Sequence, residues 1–273
     1  MVDIWTVNGV DTGRWGLRKG SSWRPPVQVR QNSLEIPGMH GVIAVGTPEY
    51  ENPPVTLRLK CGVGSQDSVE SMTNELFGLL GAPGLVLGRE SGSVVTSAPA
   101  RLVSISPEEF IWNHSARFAA VIDIPGVFMR AASLDTAPVV VASGNTYTLP
   151  GLGVGTGPIT DAVLRFLGPL TSVTVIDPVS GTGVTWTGTL AAANYLYLHP
   201  ASMIARTSNL STVWASGGTD VSGGMSRQPS GSLQIWPKMV ASDPSVRSSR
   251  LTVTGSGFSG ATALAVRAQP AYL

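Results

Sequence analysis

The stretch that decides the fold is residues 161–200, DAVLRFLGPLTSVTVIDPVSGTGVTWTGTLAAANYLYLHP. From residue 173 to residue 189, Val, Ile, Thr and Trp alternate with small polar residues, and the break DPVSG at 177–181 has the turn residues of a hairpin. In the run YLYL at 195–198, alternation places two tyrosines on one face and two leucines on the other. The segment therefore predicts two half-buried strands, a turn, and a further strand with one face against a core.

The same character continues from residue 139 to the C-terminus. Strand-like runs of about five to eight residues are separated by Gly, Pro and Ser turns, and no run has convincing helical periodicity. This pattern predicts a C-terminal β-sandwich or jelly-roll domain over residues 139–273. Within it we expect a long loop at 206–228. Later strands are expected at 233–236, 251–255 and 264–267.

Residues 1–130 are predicted to form strands interrupted by one helix. The expected strands are 4–7, 27–35, 41–46, 55–63, 85–89, 100–106 and 114–124. A helix is predicted over 67–80, because Asp67 and Glu70 have capping-box spacing and Gly81-Ala82-Pro83 follows an apolar helical stripe. The chain is thus expected to be mainly β, with an α+β N-terminal half forming a split β-barrel-like domain. The small, polar segment 131–138 is predicted to be a linker.

The composition is that of a turn-rich β protein. Charged residues make up 13% of the 273 residues, against about 25% in a typical domain, while Gly (32) and Pro (20) are abundant and the net charge is +1. A surface so poor in charge offers little repulsion between copies, which favours self-association. The 18 Lys and Arg residues are scattered, so nucleic acid is not expected as a partner.

The single cysteine and the termini carry simple expectations. Cys61 cannot form an intrachain disulfide and is predicted to be a buried small hydrophobe. The start MVDIWTVNGVD lacks a basic stretch before an apolar core, so we expect no secretion signal and synthesis in a cytoplasm. The apolar region 76–87 is interrupted by glycine and proline and is shorter than the roughly 20 residues of a membrane span, so no membrane insertion is expected.

The sequence offers little that points to catalysis. His40, His114 and His199 lack ligand spacing, so neither a metal site nor a cofactor is predicted. The run GLGVGTG at 151–157 is not followed by Lys-Ser/Thr and predicts a flexible turn. Glu108 and Glu109 are adjacent and are expected to be solvated turn residues after a proline. We therefore expect a protein that is not an enzyme, although carboxylates from distant positions could still form a hydrolase site.

Aromatic residues of the C-terminal half could stack on sugars or pack in a core. Trp186 and Trp236 lie in strand-like runs and are predicted to be core residues, as are Tyr195 and Tyr197. Trp214 precedes the sequence Ala-Ser-Gly-Gly and is predicted to be exposed on a loop. It is the one candidate contact residue for a glycan or a protein partner.

Several phrases carry a family resemblance. The N-terminal order of strands with one helix, with LEIPGMHG at 34–41 and VIDIPGVF at 121–128, resembles the N-terminal domain of distal tail proteins of siphophages. The C-terminal half is similar to minor tail proteins of phages that infect actinobacteria. The phrases that carry this second likeness are GPL at 168–170, WTGTL at 186–190, NYL at 194–196, GSLQI at 231–235 and AYL at 271–273.

The resemblance implies a role in assembly. It implies a homo-hexameric ring at the virion tail tip, formed by the N-terminal domains and joining the tail tube protein to the tail hub or other minor tail proteins of the baseplate. Galectin-like or carbohydrate-module-like C-terminal domains would then radiate outward. Two alternatives remain open: a carbohydrate-binding module that contacts the host envelope, and an envelope-degrading hydrolase.

Overall fold

The computed structural model describes residues 4–22, 24, 27–35, 42–51, 54–62, 65–111 and 114–273. The chain divides into two compact units, residues 1–130 with Leu273, and residues 131–272. Antiparallel sheets make up both units, and the described residues contain a single α-helix. The prediction of a mainly β fold with one helix in the N-terminal half is confirmed.

The described part of the first unit contains ten strands, one α-helix and the 3-10 turn Thr12–Trp15. These elements are β1 (Ile4–Val7), β2 (Val10–Asp11), β3 (Gln28–Glu35), β4 (Val42–Glu51), β5 (Val55–Cys61), α1 (Gln66–Leu80), β6 (Val86–Ser91), β7 (Val94–Pro99), β8 (Arg101–Ile111), β9 (Ser115–Asp123) and β10 (Met129–Arg130). They form the sheet β2-β1-β6-β7-β10, the sheet β5-β9-β8 and the separate hairpin β3-β4.

Strict alternation along β5 organises the core of this unit. Leu57, Leu59 and Cys61 are fully buried on one face of the strand, and Arg58 and Lys60 are exposed on the other. The helix α1 packs against the buried face through its apolar stripe. Cys61 is buried as predicted, and burial raises the pKa of its thiol.

Several boundaries differ from the predictions. The helix begins one residue earlier than expected and is capped by Ser65, whose hydroxyl accepts a hydrogen bond from the backbone N–H of Ser68 at 3.3 Å. Strand β7 was missed, and β8 continues five residues beyond its predicted end, through bulges that accommodate Pro107. The expected strand at 41–46 is part of the longer β4, and its first residue lies outside the described residues.

The second unit contains fourteen strands and two 3-10 turns, Leu152–Val154 and Ser222–Gly224. The strands are β11 (Leu134–Asp135), β12 (Val139–Val140), β13 (Asn145–Leu149), β14 (Val163–Leu167), β15 (Leu170–Ile176), β16 (Gly183–Leu190), β17 (Tyr195–His199), β18 (Ile204–Ser208), β19 (Thr219–Asp220), β20 (Met225–Arg227), β21 (Lys238–Val240), β22 (Asp243–Ser256), β23 (Ala263–Ala268) and β24 (Ala271–Tyr272).

Most of these strands form a two-layered sandwich. One sheet has the order β11-β23-β14-β17-β18-β19, with β12 also on β23, and the other has the order β13-β22-β15-β16-β20, with β21 on β22. A single apolar cluster fills the space between them. Residues 161–200 contribute β14 and β17 to the first sheet and the predicted hairpin β15-β16 to the second. This segment therefore builds part of both layers.

The segment predicted as a linker, 131–138, is part of the second unit. Leu134 and Asp135 pair with β23, and the backbone N–H of Thr136 donates to the carbonyl oxygen of Val266 at 2.8 Å. Thr136 is buried, and its hydroxyl accepts a hydrogen bond from the N–H of Val266 at 2.9 Å. Backbone groups of this polar, extended segment form hydrogen bonds with the edge of β23. The segment is therefore a paired part of the second unit and not a linker.

Two further expectations for the second unit are corrected. The expected long loop at 206–228 contains the end of β18 and all of β19 and β20, while the expected strand at 233–236 makes only one isolated bridge, between Ile159 and Ile235. The glycine run at 151–157 is packed rather than flexible. Leu152 is fully buried, and Gly153 lies against the backbone of Arg247.

Replacement of Gly153 by alanine tests this packing. A Cβ at Gly153 would clash with the backbone oxygen of Arg247, which cannot move without shifting β22. We expect Gly153→Ala to lower the free energy of unfolding by about 1–3 kcal/mol, measured by urea denaturation. Gly260→Ala is the matched control, because a Cβ there has nothing within 4 Å. Equal stability of the two variants would contradict the prediction.

Candidate functional site

Trp214, the predicted contact residue, lies in a covered aromatic cluster on the outer face of the first sheet. Its side chain is 5% exposed. The guanidinium carbons of Arg165 and Arg267 lie over its ring, 4.5 Å and 4.7 Å from the centroid, and the ring of Tyr197 meets it edge-on at 5.8 Å. The prediction that Trp214 is exposed is therefore wrong, although its position in a loop is correct.

Alternation along β17 explains why the aromatic cluster forms. Leu196 and Leu198 point into the sandwich core, which sends Tyr195 and Tyr197 to the outer face. The predicted alternation is correct, but the prediction that the two tyrosines belong to the core is wrong, because the leucines occupy that side of β17. The hydroxyl of Tyr197 donates to the carbonyl oxygen of Leu210 at 2.6 Å and accepts a hydrogen bond from the N–H of Val213 at 3.3 Å. These bonds hold the loop that carries Trp214 against the sheet.

Charged partners complete the cluster. Arg165 donates to the carbonyl oxygen of Ser211, and Arg267 makes a bidentate ion pair with Asp135 at 2.5 Å and 2.6 Å. The hydrogen bond from Arg267 lowers the pKa of Asp135, and burial raises the pKa of Tyr197. Because each arginine is held by a partner and lies over an aromatic ring, the cluster stabilises the domain and leaves little of Trp214 accessible to a ligand.

The other aromatic predictions have mixed outcomes. Trp186 is buried in the core, and its indole N–H donates to the carbonyl oxygen of Val221 at 3.1 Å. Trp236 and Tyr195 are half-buried.

The histidines do not converge. His40 lies outside the described residues, His114 is exposed beside the start of β9, and His199 is half-buried at the end of β17. Burial lowers the pKa of His199, with a further contribution from Arg206. Among the described residues, no three His, Cys, Asp or Glu side chains are grouped so that they could hold a metal ion.

Glu108 and Glu109 lie within strand β8 and not in a turn. Glu108 forms an ion pair with Arg58 at 3.3 Å, and Glu109 forms one with Arg117. Each carboxylate therefore has its own cationic partner, and the pair does not present two free groups to a substrate.

Among the residues that the structure describes, Asp177 is the one fully buried carboxylate. It lies in the turn between β15 and β16, where its Oδ2 accepts a hydrogen bond from the N–H of Ser180 at 2.7 Å. Burial raises the pKa of Asp177, while hydrogen bonds from Ser180 act in the opposite direction. Its place in a tight, internally bonded turn indicates a structural role.

Two surface openings lie on the first unit. A cleft of about 390 Å³ lies at the base of the β3-β4 hairpin, between Tyr50 and Val127, and a smaller groove of about 180 Å³ lies between α1 and β8. Both exposed phenylalanines of the described chain, Phe77 and Phe110, lie in this unit. None of the described helices combines the length and the apolar character needed to cross a bilayer.

Truncation of Trp214 tests whether the aromatic cluster stabilises the second unit. Trp214→Ala removes a buried ring from Tyr197 and two arginines, so we expect the free energy of unfolding to fall by about 3–5 kcal/mol in urea denaturation. Trp214→Phe keeps an aromatic ring and should lose clearly less. A loss below about 1 kcal/mol for the alanine variant would show that the cluster does not support the domain.

The raised pKa of Asp177 predicts a pH dependence. A carboxyl whose folded pKa is raised contributes stability below its unfolded pKa of about 3.9 and loses it as pH rises through the folded pKa. The melting temperature of the native protein minus that of Asp177→Asn should therefore fall as the pH rises above about 4, the unfolded pKa of the carboxyl. Asp220→Asn is the control of opposite sign, because hydrogen bonds from Ser222 lower the pKa of Asp220. A difference for Asp177→Asn that does not change with pH would refute the prediction.

Comparisons with known proteins identify the fold. No protein-family model and no protein of curated function matches the chain. Among solved structures, the chain is similar to the Dit protein (gp 19.1) of phage SPP1, described as a paradigm of the hub adsorption apparatus in phages that infect Gram-positive bacteria, with 10% identity, a TM-score of 0.62 and 100% of both chains covered. Chains of the phage P2 baseplate in its activated conformation, with Ca and with Sr, match with 12% identity, TM-scores of 0.45 and 0.44, and 98% of each chain covered. The chain therefore has the fold of the SPP1 Dit protein over its whole length.

Proposed function

We propose that this chain is a structural component of a phage tail tip, a distal tail protein that forms a ring between the tail tube and the hub or baseplate. The observation that carries the proposal is the likeness to the SPP1 Dit protein, which extends over the full length of both chains. The resemblance of the sequence phrases to siphophage tail proteins points to the same role independently of the fold.

The surface of the first unit supports a role in assembly. Strand β8 is the outer strand of its sheet, and the described side chains of strand β3 are exposed in a two-stranded hairpin. A hairpin of this kind is marginally stable in water unless something covers it. Open strand edges and exposed apolar side chains are features that assembly with other chains would bury.

The alternatives lose their specific support. A glycan-binding role depended on an exposed Trp214, whose ring is covered by Arg165 and Arg267. A hydrolase role relied on carboxylates brought together from distant positions and has no specific residues behind it, while the adjacent Glu108 and Glu109 are each paired with an arginine. We therefore propose assembly rather than glycan binding or catalysis as the function.

The proposal is tested on virus particles. We expect mass spectrometry of purified virions of the encoding phage to detect this chain, and immunogold electron microscopy to label the end of the tail farthest from the head. Native mass spectrometry of the isolated protein should show a hexamer. Absence of the chain from virions, or labelling along the whole tail tube, would contradict the proposal. An antibody against a tube protein provides the control for labelling position.

A further inference from the structure

The turn between β1 and β2 consists of Asn8 and Gly9. Val7 pairs with Val10, so these two residues alone form the loop. Their φ angles are both positive, 50° for Asn8 and 80° for Gly9, as the mirror-image turns of tight hairpins require. Both residues are exposed. Asparagine followed directly by glycine occurs only here in the 273 residues of the chain.

The side-chain amide of Asn8 is held by the first residue of β6. Its Oδ1 accepts a hydrogen bond from the backbone N–H of Val86 at 2.8 Å, and the backbone N–H of Asn8 donates to the carbonyl oxygen of Val86 at 2.8 Å. A hydrogen bond to a carbonyl oxygen stabilises the negative charge that develops on that oxygen when a nucleophile attacks the carbon. The bond from Val86 therefore makes Cγ of Asn8 a better electrophile.

The backbone nitrogen of Gly9 is accessible as a nucleophile. Among the described residues, no group accepts a hydrogen bond from the N–H of Gly9. A Cβ built on Gly9 would meet nothing within 4 Å, so the space around this residue is open. Hydroxide can therefore remove the amide proton, and glycine has no side chain that would hinder the approach of its nitrogen to Cγ of Asn8.

We propose that Asn8 is a site of spontaneous covalent modification, at which the side-chain amide is converted to an acid. The nitrogen of Gly9 attacks Cγ of Asn8, and the new bond closes a succinimide ring. The bond between Cγ and the amide nitrogen of Asn8 breaks, and ammonia leaves with the proton that Gly9 has lost. Water then opens the ring at either carbonyl and returns a proton to the nitrogen of Gly9, which gives aspartate or isoaspartate at this position.

The two products differ in their effect on the turn. Aspartate keeps an oxygen that can accept the N–H of Val86, and it reduces the formal net charge of the chain from +1 to zero. Isoaspartate routes the main chain through Cβ and so lengthens the turn by one methylene. Because the pairing of Val7 with Val10 depends on a two-residue turn, isoaspartate disrupts the β1-β2 hairpin. Ammonia is lost to solvent, so both products accumulate as the protein ages.

Peptide mapping of the aged full-length chain tests the proposal. The folded protein is incubated at mildly alkaline pH, digested and analysed by mass spectrometry, and methylation by an isoaspartyl methyltransferase identifies the isoaspartate product. We expect Asn8 to convert at least about tenfold faster than Asn145 and Asn209, two exposed asparagines that are followed by threonine and leucine. Asn8→Gln is the matched control, because its longer side chain cannot close the same ring, and it should stay unmodified at this position.

The same incubation in guanidinium chloride measures the contribution of the fold. The hydrogen bond from Val86 to Oδ1 of Asn8 exists only in the folded chain, so we expect Asn8 to convert in the folded protein at least as fast as in the unfolded one. Slower conversion in the folded protein would show that the turn protects Asn8 and would overturn the inference. An Asn8 that stays intact in both states would overturn it as well.

Discussion

The insertion of Leu196 and Leu198 into the core between the two sheets determines the outer face of the second unit. Strand side chains alternate, so burial of these leucines sends Tyr197 to the opposite side of β17. From there the tyrosine hydroxyl holds the loop at Leu210 and brings Trp214 down onto the sheet. The bidentate pair of Arg267 with Asp135 then attaches β11 to the same cluster. The packing of the core of this domain therefore also determines how the side chains on its outer face are arranged.

Local signals in the sequence predicted the elements whose partners are near in the chain. The hairpin β15-β16 has its turn residues at 177–181, and α1 has both a polar start and a glycine-proline end, so each boundary was found within a few residues. The alternation of β17 was also predicted correctly, because period-2 patterning needs no knowledge of the partner strand. Together these elements were sufficient for the fold class.

The features that sequence reasoning missed depend on distant partners. Asp135 pairs with Arg267 across 132 positions, and nothing local distinguishes its segment from a linker. Trp214 is covered by Arg165 and Arg267. In the sequence these two arginines belong to a scattered set of charges, and nothing local connects them with Trp214. The sequence predicts a flexible turn at 151–157. In the structure, the backbone of Arg247 lies so close to Gly153 that there is no room for a side chain at this position. The available signal is the presence of Arg165 and Arg267 in strand-like runs, because an arginine side chain on a sheet can lie over the ring of a tryptophan in a nearby loop.

The two units differ in how far neighbouring side chains cover their aromatic residues. In the second unit, two arginines of the same unit cover the ring of Trp214. One of these arginines is paired with a carboxylate and the other donates to a backbone carbonyl oxygen. The first unit leaves Phe77 and Phe110 exposed, and β8 forms the outer edge of its sheet. Exposed carboxylates are solvated and need no partner, whereas exposed aromatic rings leave apolar surface in water that a partner chain would bury. The apolar surface that binding to another chain would bury therefore lies on the first unit, and the aromatic cluster of the second unit is already covered.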